Sequence, residues 1–162
     1  LAVLEKAGQR AEDAVLVLIL TSMILLAASQ IVLRNFFGFG FIWGDELLRM
    51  LVLWIAVAGA VAASRTDKHI NIAVLDRFVP ARLKAGLKVF VDLFTAGICL
   101  VITWHSVAFV QTSHEYEDVL MGNVPAWMLQ LVLPIGFGLI TWRYLVFSVR
   151  QLVALFSREK AA

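Results

Sequence analysis

Four long apolar runs govern what this chain can fold into: Ala14–Leu33, Leu47–Ser64, Leu87–Ser113 and Pro125–Val149. The first holds no charged residue. The second holds Arg49, the third Asp92 beyond Lys88 at its start, and the fourth Arg143. A helix needs about 20 apolar residues to cross the hydrocarbon of a bilayer, and each run approaches or exceeds that length. Strands are not expected in these runs, because nothing alternates with period two and an open sheet edge cannot sit in lipid. The expected fold is therefore an all-α integral membrane protein with four transmembrane helices. It is read as a single membrane domain over residues 1–162, with a loop at 65–86 between the second and third spans. Composition agrees: 61% of the residues are hydrophobic and 16% charged, against about 25% charged in a soluble domain. As a helix the third run would be about 40 Å long, so tilt or protrusion is expected.

The first run also has features of a cleaved signal. Lys6 and Arg10 precede it, and Ala27-Ala28-Ser29 has the small residues of a cleavage site. Glu12 and Asp13 break up the basic region, however, and the apolar run continues to Leu33, which favours a retained helix.

Loop charges predict orientation. Lys6 and Arg10 precede the first span; Arg65, Lys68, Arg77, Arg82 and Lys84 lie between the second and third; Arg150, Arg158 and Lys160 follow the fourth. The loop after the first span has only Arg34, and the loop after the third has Glu115, Glu117 and Asp118 instead. Lys and Arg are retained preferentially in the cytoplasm, so both termini and the central loop are expected there. Trp43 and Trp127 then fall at the outer interface. Trp142 and Tyr144 flank Arg143 near the inner one, where its side chain can snorkel. The basic and apolar residues around Pro80 read equally as a surface-lying amphipathic helix on anionic phospholipid or as an ordinary connection.

Trp43-Gly44-Asp45-Glu46 opens the second span, with Arg49 just inside it and Trp54 further on. Charges beside hydrocarbon are costly and seldom kept without a use. Glu46 and Arg49, spaced i, i+3, share a helix face, and two readings stand level: a local ion pair, or a clamp to another helix or subunit. Downstream, Ala56, Gly59, Ala60 and Ala63 form small-residue rows that allow close helix approach. Asp92 is expected to pair with Lys88 or Arg143. His105, a conceivable proton relay, reads rather as a hydrogen-bonded packing residue. Pro134, with Gly136 and Gly138, is expected to kink or loosen the fourth helix. The lone Cys99 forms no internal disulfide, and His69, His105 and His114 fall at different depths, so neither a metal nor a bis-histidine haem is expected. No nucleophile elbow, phosphate loop or catalytic carboxylate pair is present. The chain reads as no enzyme, with no cofactor, and its charge of +2 suggests no nucleic acid.

The series Arg34, Trp43, Asp45-Glu46, Arg49, Trp54, followed by Arg65 and His69-Ile70-Asn71-Ile72, resembles the small, DctQ-type membrane subunit of tripartite ATP-independent periplasmic (TRAP) transporters. Val124-Pro125-Ala126-Trp127 and Leu133-Pro134-Ile135-Gly136 fit that family's fourth helix, and the likeness covers residues 30–150. Asn35 departs from it, where the family often has an aromatic. The resemblance implies a four-helix, non-catalytic scaffold in the bacterial inner membrane. Its implied partners are a large membrane transporter subunit and a periplasmic substrate-binding protein that delivers an organic acid, with a sodium gradient driving uptake. The candidate partner-interface residues, from the charged motif, the small-residue face and the resemblance together, are Arg34, Trp43, Asp45, Glu46, Arg49, Trp54, Gly59, Ala63 and His69. The competing reading is a self-sufficient oligomeric four-helix transporter, which would want an acid in the first span. A quinone or haem redox protein would need paired cysteines or histidines.

Overall fold

The computed structural model describes residues 2–65, 81–120 and 122–159. Its helices are α1 (Ala2–Val32), α2 (Gly44–Ala63), α3 (Ala81–Glu115), α4 (Ala126–Gln130) and α5 (Val132–Glu159). Four stretches are long and apolar enough to cross a membrane: Gly8–Phe37, Gly44–Ala63, Gly86–Glu115 and Ala126–Val153, the last running through α4 and α5. The chain is thus an all-α, four-span membrane protein. α3 begins at Ala81, inside the stretch read as a loop. His69 and Arg77 lie outside the described residues, so the amphipathic-helix reading around Pro80 does too.

Breaks in the helices follow local chemistry. α1 runs into a π-helical turn, Leu33–Phe37, that ends where Gly38 takes φ 71°, a left-handed value that costs glycine little. The expected disturbance of the fourth span falls at Leu131, between α4 and α5. Pro134 has no N–H to give the Gln130 carbonyl, and its ring crowds that carbonyl. Outside the spans a short antiparallel hairpin pairs β1 (Val119–Leu120) with β2 (Val124–Pro125), the one place where strand structure enters among the described residues.

In space the helices form a row. α1 packs on α2, α2 on α5, and α5 on α3; α1 makes no comparable contact with α3 or α5, so the row does not close into a ring. The core lies between α2, α3 and α5, where Val61, Ala96, Cys99, Ile140 and Tyr144 are buried with Phe137 and Phe147 against them. Tyr144, expected at the interface, belongs to this core, its ring edge-on to Phe147 at 6.2 Å. α2 and α5 approach closely at Gly136. A Cβ on Gly136 would lie 2.1 Å from Val57 Cγ1, so Gly136 is what lets these backbones meet. The small-residue row is elsewhere: Ala56, Ala60 and Ala63 are exposed, and a Cβ on Gly59 would meet nothing within 4 Å. Within the described chain that face packs on no other helix.

Candidate functional site

Polar side chains hold α1 to its neighbours near its two opposite ends. At the first, α2 ends and its last carbonyls lack intrahelical partners, which makes the end electronegative. Arg143 of α5 reaches it. Its Nη1 donates to the Val61 carbonyl at 2.6 Å and to Ser64 Oγ at 3.2 Å. Its Nη2 bonds Glu12 of α1. Arg65, two residues past α2, donates from Nε to the other Glu12 oxygen and from Nη1 to Asp13 Oδ1 at 2.7 Å. One carboxylate therefore holds two arginines, one on each oxygen, and ties α1 to both α2 and α5. The Arg65 side chain is only 13% exposed. Burial opposes its charge, but the hydrogen bonds and negative charge of Asp13 and Glu12 outweigh that and raise its pKa above the ordinary arginine value. Its remaining Nη2 is buried with no hydrogen-bond partner among the described residues.

At the other end the turn between α1 and α2 folds back onto α1. Gln30, buried, donates from Nε2 to the Phe41 carbonyl at 3.0 Å and accepts the Phe41 N–H on Oε1 at 3.1 Å. A primary amide is suited to this, since it offers a donor and an acceptor side by side. Gly44 makes room for it: a Cβ there would sit 1.8 Å from Gln30 Nε2. Outside this amide lock Arg34 and Asp45 pair at 2.7 Å, with 59% and 55% of their side chains exposed. Trp43 stacks on Phe41 at 5.0 Å.

The remaining predicted residues are dispersed. Trp54 spends its Nε1–H on the Leu129 carbonyl of α4 at 2.9 Å, tying α2 to the fourth span. Glu46 and Arg49 are both exposed, and Arg49 makes no ion pair among the described residues. Asp92 is buried on α3 and accepts from Gln151 Nε2 at 3.4 Å. Of its two expected partners, Lys88 and Arg143, the arginine is held instead by Glu12 and the α2 terminus. For the same reason Arg143 turns inward where snorkelling to the surface was expected. His105 is exposed and hydrogen-bonded to no described residue within the chain. His114 meets Trp127 edge-on at 5.4 Å. Between the two ends, Thr103 and Thr141 turn their hydroxyls onto their own helices, to the Cys99 and Phe137 carbonyls. No group of three or more His, Cys, Asp or Glu suited to a metal occurs among the described residues. The arrangement can clamp helices and present an open face.

Residues 23–154 match the family described as tripartite ATP-independent periplasmic transporters, DctQ component. The chain belongs to the DctQ family. It is 24% identical over 142 residues to the ectoine TRAP transporter small permease protein TeaB of Halomonas elongata, covering 85% of this chain and 74% of that protein. It is also 24% identical over 157 residues to the C4-dicarboxylate TRAP transporter small permease protein DctQ of Vibrio cholerae, covering 83% and 68%. A third relative is the isethionate TRAP transporter permease protein DctMQ of Oleidesulfovibrio alaskensis, 23% identical over 105 residues. There the match takes in 64% of this chain but only 16% of the relative. A DctQ-like segment thus occurs inside a much longer permease chain. Glu12 and Asp13 lie outside the matched segment, whereas their partners Arg65 and Arg143 lie within it.

Three elements of the site escaped the sequence reading: Glu12 as a shared acceptor, Gln30 as an amide lock, and Gly44 as its seat. A usable signal existed for the first. Glu12, Arg65 and Arg143 all stand at the same end of their spans, and charges at one depth in adjoining helices are candidates to pair.

Proposed function

We propose that this chain is the static, non-catalytic small subunit of a TRAP transporter, held against a large membrane subunit that carries the substrate. The observation that supports this best is the open row of helices. Only 11% of the most apolar stretch of each of the first two spans is buried within the chain, although polar junctions fix both ends of α1. A rigid, laterally open sheet of helices suits a scaffold, and the DctMQ relative offers a covalent version of such pairing.

On this reading the chain is a single membrane domain of the bacterial inner membrane, with both termini and the central basic loop in the cytoplasm. Uptake is driven by sodium, and a periplasmic binding protein delivers an organic acid. The chain itself binds no substrate and catalyses no reaction. Arg49, Gly59 and Ala63 are the best docking residues, because they face away from the chain's own packing. Glu46 and His69 belong to the same proposed interface. Arg34, Trp43, Asp45 and Trp54 shape the α2 segment that presents it. Phospholipid fills what the partner leaves uncovered.

Arg49→Ala should weaken recovery of the large subunit in a pull-down from mild detergent by about fivefold, from about 1 kcal/mol of lost interhelical contact, with membrane insertion unchanged. Full recovery would remove Arg49 from the interface. Solute uptake by liposomes holding this chain alone would overturn the scaffold reading itself.

A further inference from the structure

Beside the Glu12 junction lies a cleft of about 290 Å³ between α1 and α5. Gly8, Gln9 and Glu12 of α1, Arg65, and Trp142, Arg143 and Arg150 of α5 are among the residues that line it. Among the described residues, three arginines meet two carboxylates here, Glu12 and Asp13, so one positive charge is left over. Among the described residues Arg65 Nη2 is buried with no acceptor and Arg150 has no ion-pair partner. An N–H left without a partner in a buried, charged setting is costly, and an incoming anion would relieve it. Trp142 is 66% exposed on the rim, as aromatics are where hydrocarbon meets water. Ile135, Leu139 and Trp142, spaced i, i+4, i+7, form an exposed apolar stripe running from that rim into the span.

We propose that this cleft binds the phosphate of an anionic phospholipid. Arg65 Nη2 and Arg150 hold the phosphate oxygens, and an acyl chain lies along the Ile135–Leu139–Trp142 stripe. The lipid fills the gap left because α1 and α5 do not pack on each other. The site needs only that this end of the row reaches the membrane surface. It does not depend on the scaffold role, so loss of lipid and loss of partner recovery are separate readouts.

Two variants test it without touching the Glu12 bonds. Arg150→Gln removes one cation. Gly8→Phe plugs the cleft from a position where a Cβ meets nothing within 4 Å. The chain, together with its large subunit, is reconstituted in nanodiscs of mixed phosphatidylglycerol and phosphatidylcholine, extracted, and its retained lipid counted by native mass spectrometry. Wild type should retain phosphatidylglycerol over phosphatidylcholine. Arg150→Gln should lower that preference about fivefold, the worth of one arginine near an anionic surface, and Gly8→Phe should lower it by blocking the cleft. Added inorganic phosphate should not displace the lipid. Unchanged preference in both variants would overturn the proposal. So would displacement by inorganic phosphate, which would make the occupant a soluble anion, or a cross-link placing a carboxylate of the large subunit in the cleft.

Discussion

At one end of α1 Glu12 lies between Arg65 and Arg143; at the other, Gln30 grips the Phe41 backbone while Arg34 and Asp45 meet in the open. Both ends fasten α1, but by different means. The first relies on ionised groups largely withdrawn from water, where charge is strong when paired and expensive when orphaned. The second relies on a neutral amide, with an ion pair outside it that water and salt can screen. The contrast shows that a visible charge is a poor guide to which contact holds a membrane helix. Arg34 and Asp45 are prominent in the sequence, yet the buried Gln30 bridges more of the turn.

Removing Glu12 should produce the largest effect. Glu12→Ala leaves two arginines without their shared acceptor. Breaking a fully buried pair costs about 3–5 kcal/mol, and with Glu12 itself partly exposed about 2–3 kcal/mol is expected. Thermal unfolding in detergent measures this, and a loss below that of the Gln30 end would reverse the ranking of the two junctions. Alkali should not mimic the mutation. Arg65 has its pKa raised, so its contribution is complete below the ordinary arginine value and is lost only as pH climbs through the higher folded value. Stability of this end should therefore be flat from neutrality to about pH 10.

Why was one part legible from sequence and the other not? The spans could be read because hydrocarbon demands length and apolarity, and four runs supply both. The order of helices in space could not. A membrane helix is apolar on its lipid face and on its packed face alike, so polarity does not mark which side meets a neighbour. Gly59 and Gly136 illustrate it. Both sit in apolar helices, but only Gly136 faces a large side chain, Val57. The Glu12 junction joins residues 53 and 131 positions apart, and only shared depth, never spacing, links them. Gln30 carries no charge, so nothing in the first run drew attention to it, although a lone amide in twenty apolar residues needs partners as surely as a charge does.

A smaller effect is expected from Gly44→Ala. Its methyl would occupy the place of Gln30 Nε2, so the amide must leave and both Phe41 backbone groups lose their partner. About 1–3 kcal/mol is expected. The sharper observation is the double variant with Gln30→Ala. If the amide is what Gly44 accommodates, the two losses should overlap almost completely instead of adding. Additive losses would mean that Gly44 acts through something other than Gln30.

The smallest effect should come from the most conspicuous pair. A double-mutant cycle of Arg34→Gln and Asp45→Asn should give a coupling below about 1 kcal/mol, because both groups are more than half exposed and each gives up rotamer freedom to meet the other. The coupling should also fade as salt rises from low to physiological strength, where the screening length is about 8 Å. The Glu12 junction, repeated in the same salt series, should hardly move. If instead the Arg34–Asp45 coupling is large and indifferent to salt, the pair is desolvated in the working membrane. Something outside this chain must then cover it, and the partner surface would have to extend from Arg49 to the tip of the α1–α2 turn.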